Sequence, residues 1–277
     1  MGNRSKNMQK KHKKLGAKRQ NKINRKRTNL RSVLQSVYHD TVSLETTCKN
    51  RGECCRVAMP QINYSEFLQI LSSIYENKKI DDLLDIVCTS VEYFFRYEYS
   101  KWGMETMVKP CMLLGKDGLC TVYKDRPLSC RVYGLWPKDV YDRRVDKFEK
   151  AYAKYNLKRE EMPLCTQCNC VKRVDESVPL TESLIESLYQ QLNNLDKKIG
   201  TFTDLQIKQH ENYRTFHDWL LLSIYGEEGL SSLTTFILKA DKATMEDQIK
   251  VFKEIVRTSF KDNVDKLVRG LIEKTKE

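Results

Sequence analysis

The sequence predicts a mainly α protein with a small, cysteine-rich, irregular metal-binding core that contains a short β-hairpin. Three observations lead there. Apolar residues recur at helical spacing over most of the chain. Nine of the ten cysteines fall in three short blocks rich in Gly, Pro and charge. No long alternating segment argues for an extended sheet. Turns present side chains in more directions than one helix face can, which is how soft donors are brought to a common point.

The chain has 277 residues, with Lys and Arg outnumbering Asp and Glu by 49 to 37. Residues 1–31 hold 13 of the basic residues and no acid, leaving 36 basic against 37 acidic in the remainder. This tail has too few apolar residues to offset the entropy of ordering, so disorder is expected. Counterion release would draw it to RNA or another polyanion. No aromatic residue is interleaved for base stacking, so a solubilising extension is the equal alternative.

Residues 32–47 read as a short helix leading into the first block, Cys48-x5-Cys54-Cys55-Arg56. Met59 to Ile62 is an extended link. Ser65 is the expected N-cap of a helix running to Tyr75, with Phe67, Leu68, Leu71 and Ile74 on one face. Asp81 or Asp82 caps a second helix reaching Tyr99, whose wide apolar face runs from Leu83 to Phe95. Cys88 lies inside it and reads as a small buried hydrophobe.

The second block is Cys111-x8-Cys120-x9-Cys130. Gly115-Lys116-Asp117-Gly118 is a turn signal between two short apolar runs, so a hairpin is expected. Asp125-Arg126-Pro127 stops it, and Pro127 is placed to open a short helix carrying Cys130. A charged helix over 140–157 follows, then the third block, Cys165-x2-Cys168-x-Cys170.

From Thr181 onward there is no cysteine and the pattern is helical. Thr181 caps a helix to Ile199, Thr203 opens a longer one to Tyr225, and Gly226 to Gly229 breaks it. Thr244-Met245-Glu246-Asp247 resembles a capping box for a helix bearing Ile249, Phe252, Ile255 and Val256. A last helix carries Val264, Leu267, Val268, Leu271 and Ile272. The organisation expected is a basic tail over 1–31, a Cys-rich metal-binding domain over 32–174 and an α-helical region over 175–277.

No stretch approaches the roughly 18 apolar residues of a membrane span. The basic N-terminus lacks an apolar signal-peptide core behind it, and Lys6 stands where a myristoylation motif has Ser or Thr. A cytoplasmic location is expected, where thiols stay reduced and clustered cysteines are explained by metal better than by disulfides. The candidate ligands are Cys48, Cys54, Cys55, Cys111, Cys120, Cys130, Cys165, Cys168 and Cys170. Adjacent Cys54 and Cys55 are expected to diverge, which favours two sites, a polynuclear site, or one of the pair left free. His12 lies in the tail and His39 away from the blocks in sequence, and His210 and His217, seven apart on one face of an expected helix, could reach a metal but read first as partly exposed surface. A thiolate-dominated set suits zinc or iron, including an iron–sulfur cluster, and disfavours magnesium or calcium. No phosphate-binding Gly loop, Ser/His/Asp set or carboxylate pair for acid–base catalysis is identifiable.

Cys48-x5-Cys54-Cys55-Arg56, Cys111-x-Leu113 with Gly118-x-Cys120-Thr121-Val122-Tyr123, and Arg126-Pro127-x-x-Cys130-Arg131 together resemble the YkgJ-like cysteine-cluster family over residues 45–135. Its opening motif is CxxCxxCC, and Arg51 here replaces the second cysteine, so Cys165, Cys168 or Cys170 would supply a missing donor. The resemblance implies a zinc- or iron-chelating domain, often labelled an Fe-S oxidoreductase. It also singles out Tyr123, Arg126 and Arg131, with the arginines either facing thiolates or holding the turns. Three functions are therefore expected in order: a metal-binding protein with an unidentified protein or small-molecule partner, an Fe-S-dependent oxidoreductase or modifying enzyme, and an RNA- or ribosome-associated zinc protein using the tail.

Overall fold

The structure is a computed structural model, and it describes residues 30–40, 42–48, 52–57, 59–77, 80–101, 110–152, 172–199, 214–239, 244–260 and 263–273. Among these the elements are overwhelmingly helical. A helix over 30–39 (α1) precedes α2 (Glu53–Val57), β1 (Gln61–Ile62), α3 (Tyr64–Asn77) and α4 (Ile80–Lys101). A 3₁₀ turn (Tyr123–Asp125) and α5 (Leu128–Arg131) follow, then α6 (Lys138–Tyr152) and α7 (Glu182–Ile199). The chain ends with β2 (Arg214–Thr215), α8 (Phe216–Lys239), α9 (Met245–Phe260) and α10 (Val264–Glu273). No helix among the described residues is long and apolar enough to cross a membrane.

The core explains why α3 is central. Phe67, Leu68, Ile70, Leu71 and Ile74 are all buried, and even Ser65, Glu66, Gln69 and Ser72 are out of water. A helix apolar on one face only cannot be wrapped this fully, so α3 takes polar groups inside, and Glu66 and Gln69 find hydrogen-bond partners there. It packs against α7, α8 and α10, while α4 packs chiefly against α8 and α9. Aromatic rings stitch these together, with Phe67 and Phe216 centroids 5.3 Å apart and Phe95 and Phe252 5.1 Å apart. A second apolar cluster joins Leu34 and Tyr38 of α1 to Leu128, Val132 and the α7 residues Ile185, Leu188 and Leu192.

Several expectations are corrected. Helix α3 begins at Tyr64, and Ser65 is inside its first turn. Its exposed N–H groups are taken by Asp196 of α7, which accepts from the backbone of Tyr64 (3.0 Å) and Ser65 (2.8 Å). Residues 214–215 are a strand, antiparallel to Gln61–Ile62, and α8 starts only at Phe216. Residues 200–213, including the expected cap Thr203, lie outside the described residues. The expected break does fall at Gly226, whose φ 70°, ψ 178° is non-helical and divides α8 into two limbs, the second running to Lys239. Arg31, the last residue of the charge run, is in α1. Thr181 does cap α7, accepting from the Leu184 amide at 3.2 Å. The partner that reaches back to Thr244 is Gln248 rather than Asp247.

Candidate metal centre

The first two cysteine blocks fold onto each other through the backbone. Gly52, at φ 67°, turns the chain into the single turn of α2, which carries Cys54 and Cys55. The Cys111 amide then donates to the Cys55 carbonyl at 2.5 Å, pinning the start of the second block to the end of the first. The expected hairpin forms as a tight loop. Gly118 donates to the Gly115 carbonyl (2.9 Å), Gly115 to the Leu119 carbonyl (2.7 Å), and the only bridge of this loop pairs Leu114 with Cys120. Asp117 secures the turn by accepting from the Leu119 amide at 3.0 Å. Cys120 is thereby folded back toward Cys111.

The thiols converge on Cys55. Its sulfur lies 3.9 Å from that of Cys54 and within hydrogen-bonding reach of Cys111 and Cys120. The neighbouring pair therefore does not diverge. Successive residues in a helical turn are rotated by about 100°, not the 180° of a strand, so χ1 rotation can bring both sulfurs to one side. Sharing of the Cys55 proton is the main reason that Cys54 and Cys120 are lowered to about 7. Cys55, hydrogen-bonded to Cys111, Cys120 and Cys54, is correspondingly held far above the ordinary thiol range. The Arg126 guanidinium adds a smaller pull on Cys54 and Cys120.

Around this cluster the remaining motif residues take distinct places. Tyr123 donates its hydroxyl to the Cys48 carbonyl at 2.6 Å, which anchors Cys48 beside the cluster. Cys130, on α5, is pushed well above the thiol range by burial, and it feels the charges of Cys111, Cys54 and Cys120 without being one of the thiols bonded to Cys55. Arg126 lies over the Tyr123 ring at 4.4 Å and donates to Thr46 Oγ1 at 3.1 Å. Arg131 is structural: it donates to the carbonyls of Arg126 (2.9 Å) and Lys124 (3.0 Å) and covers the Tyr38 ring at 4.3 Å. Cys88 is buried on α4 against the Lys253 carbonyl, 3.6 Å away, as a small hydrophobe. Cys165, Cys168, Cys170, Arg51, His12 and His210 lie outside the described residues.

His217 departs from the expectation of a partly exposed helix face. It is fully buried, with Nδ1 2.9 Å from Thr215 Oγ1 and 3.1 Å from Met59 Sδ. Burial lowers the pKa of the half-exposed His39, which stands near Arg131 rather than among the thiols.

The frame behind the cluster rests on three carboxylates, Glu66 and Asp125 buried and Asp196 partly so. Glu66 accepts from the Tyr38 hydroxyl (2.7 Å), the Leu128 amide (2.6 Å) and the Asn63 amide (3.0 Å), so one side chain of α3 fixes α1 and the start of α5. Asp125 receives a bidentate pair from Arg31 (2.9 and 2.5 Å) and a bond from Gln69 (3.2 Å). Asp196 is the cap already described. The one sequence signal for this frame was an acid in the first turn of α3; the partners of Asp125 and Asp196 lie too far along the chain to be read.

Among the described residues no group of three or more His, Cys, Asp or Glu is placed to hold a metal ion as it stands. One pair of the gathered sulfurs has the spacing of a thiolate site. Four sulfurs at about 2.3 Å from a tetrahedral ion are about 3.8 Å apart, and Cys54 and Cys55 stand at 3.9 Å.

No curated protein and no solved structure matches the chain. Residues 47–169 match the family model described as "CxxCxxCC: Putative zinc- or iron-chelating domain". That segment contains the first two cysteine blocks and Cys165 and Cys168 of the third, and ends one residue before Cys170; Arg51 stands at the second cysteine position of the opening motif. The match covers less than half of the chain.

Proposed function

We propose that the chain is a metal-binding protein that holds a single zinc or ferrous ion through the thiolates of Cys54, Cys55, Cys111 and Cys120. The observation that carries this reading is the gathering of three thiols on Cys55, with one sulfur pair at the edge length of a thiolate tetrahedron. Two sulfurs this close belong on one metal atom. In a four-iron cluster each cysteine binds a different iron and the sulfurs are held further apart. Such an ion, when bound, supplies a strong positive charge that fixes the two loops together.

The residues of the chain do the rest. Cys54 and Cys120 are part-ionised near neutrality and give up their protons readily on loading, whereas Cys55 must surrender the proton that it shares with them. Arg126 offsets part of the negative charge that four thiolates leave on a divalent ion. Tyr123 and the Cys111–Cys55 backbone bond hold the two blocks against each other, so the sulfurs are brought together by the backbone.

The test is elemental analysis and X-ray absorption on untagged protein purified without oxygen. The expected result is one zinc or iron per chain with a shell of sulfur at about 2.3 Å. Cys55→Ser and Cys120→Ser lose the metal, and Cys88→Ser, remote on α4, keeps it. Protein carrying neither metal overturns the reading. Iron with acid-labile sulfide and a brown chromophore replaces it with a cluster, and an oxidoreductase role then takes first place.

A further inference from the structure

The way the first two cysteine blocks meet selects one pair among the four gathered thiols. Cys54 and Cys55 have sulfurs 3.9 Å apart, but they are neighbours in α2, and no peptide bond among the described residues is cis. Adjacent Cα atoms across a trans peptide are about 3.8 Å apart, below the roughly 4.4 Å at which disulfides begin. That pair cannot close without breaking the helical turn. Cys55 and Cys111 stand differently, because the Cys111 amide donates to the Cys55 carbonyl at 2.5 Å and the two sulfurs are within hydrogen-bonding reach. Backbone bonding of this kind sets two Cα atoms at roughly 5–6 Å, inside the disulfide range.

Exposure divides the same thiols. Cys55 and Cys111 are buried, whereas Cys54 and Cys120 are half-buried. Cys120 follows the exposed Leu119 beside the hairpin turn, and its sulfur is within reach of that of Cys55. An oxidant from solvent therefore meets Cys54 or Cys120 first. Of these two, Cys120 alone can hand the oxidation to Cys55, since Cys54 is barred as its neighbour.

We infer that Cys55 and Cys111 are a site of reversible oxidation by hydrogen peroxide, entered through Cys120, and that closing their disulfide expels the bound ion. The Cys120 thiolate attacks one peroxide oxygen, the O–O bond breaks, Cys120 becomes a sulfenic acid and the departing hydroxide takes a proton to give water. The Cys55 thiolate attacks the Cys120 sulfur, the S–O bond breaks and a second water leaves. Cys111 then attacks the Cys55 sulfur of this disulfide, and Cys120 departs as a thiolate. Two thiols have lost two electrons and two protons, peroxide has become two waters, and Cys120 is restored. With two of four thiolates gone, the tetrahedral site has too few donors to close. Expulsion of the ion rests on the metal reading; the disulfide does not.

The experiment treats chelator-stripped protein with one equivalent of hydrogen peroxide, blocks the remaining thiols by alkylation and maps the linkages by mass spectrometry. A Cys55–Cys111 disulfide is expected, reopened by a dithiol. Cys120→Ser slows its formation about tenfold or more, as for loss of the accessible thiolate, and Cys88→Ser leaves the rate unchanged. Cys111→Ser stops the sequence at a Cys55–Cys120 disulfide. In zinc-loaded protein the same treatment delivers one zinc per disulfide to a coloured chelator. Cys55 and Cys111 left reduced, or a disulfide between other cysteines in place of theirs, overturns the proposal, as does an unchanged rate in Cys120→Ser. Zinc retained after the disulfide has formed overturns the expulsion. A chain that binds no metal removes the metal reading, and the mapped linkage still decides this one.

Discussion

Gly52 lies against the carbonyl of Gly118 so closely that a Cβ on Gly52 would overlap that oxygen and come within 2.9 Å of Leu114 Cδ1. The two cysteine blocks therefore meet backbone to backbone, and at φ 67° Gly52 also occupies a conformation that L side chains rarely adopt. Gly52→Ala is expected to destabilise the protein by about 2–4 kcal/mol, combining strain with displacement of the loop. It should lower metal content in the same step. Thermal unfolding of metal-loaded and chelator-treated protein checks this, and an unchanged midpoint in both would contradict it.

Cys54 and Cys120, lowered to about 7, differ in reactivity from their neighbours in metal-free protein. Alkylation mapped by mass spectrometry from pH 5.5 to 9.5 should reach half its maximal rate near pH 7 at these two positions. Cys55 and Cys130, both raised, should react last. The sign for stability follows: the folded value is below the unfolded one, so the contribution is complete above the ordinary thiol range and is lost as pH falls through about 7. Uniform reactivity at all four thiols would refute the shared-proton arrangement.

Helices α3, α4, α7, α9 and α10 were legible because their apolar residues repeat at helical spacing over ten or more positions. The three cysteine blocks were legible as a donor set because soft ligands cluster in few other ways. What stayed hidden is long-range or very short. Two-residue strands such as Gln61–Ile62 and Arg214–Thr215 leave no alternation to detect, and their pairing spans about 150 positions. Asp196 caps α3 from another helix, so the local rule that nominates Ser65 found a residue of the right type two positions after the N-cap, Asn63. Periodicity places His217 on a helix but cannot say which side is covered, and the covering atoms come from Met59 and the two-residue strand. The convergence of Cys54 and Cys55 depends on one helical turn five residues long, below what pattern reading resolves.

Arg126 offers a graded test of how the thiol charge is held. Its side chain stacks on Tyr123 and bonds Thr46, and its charge helps to lower Cys54 and Cys120. Arg126→Gln is expected to raise the alkylation midpoint of both thiols and to weaken metal affinity by about 10–100-fold, the range for groups that orient or balance ligands. Arg126→Lys keeps the charge but loses the planar stack, and should restore part of the affinity. Competition with a coloured chelator measures each. If Gln and Lys variants bind as tightly as the original, Arg126 only holds the turn.

Glu66 gives the pH dependence of the frame. Burial raises its pKa, against the pull of the Leu128, Tyr38 and Asn63 hydrogen bonds. A carboxyl whose folded value is above its unfolded value contributes stability that is complete below the unfolded value, near 4.5, and is lost as pH rises through the folded one. Asp196, also raised by burial, acts in the same direction. Glu66→Gln cannot accept at both former oxygens, so it leaves one of three donors unsatisfied and should cost about 1–3 kcal/mol at neutral pH. The gap between wild type and variant should be widest in acid and narrow as pH rises, because only wild type loses the contribution. Urea unfolding of metal-free protein from pH 4 to 8 checks this. A gap that widens with pH would mean that Glu66 is held ionised in the folded chain, its three hydrogen bonds outweighing its burial.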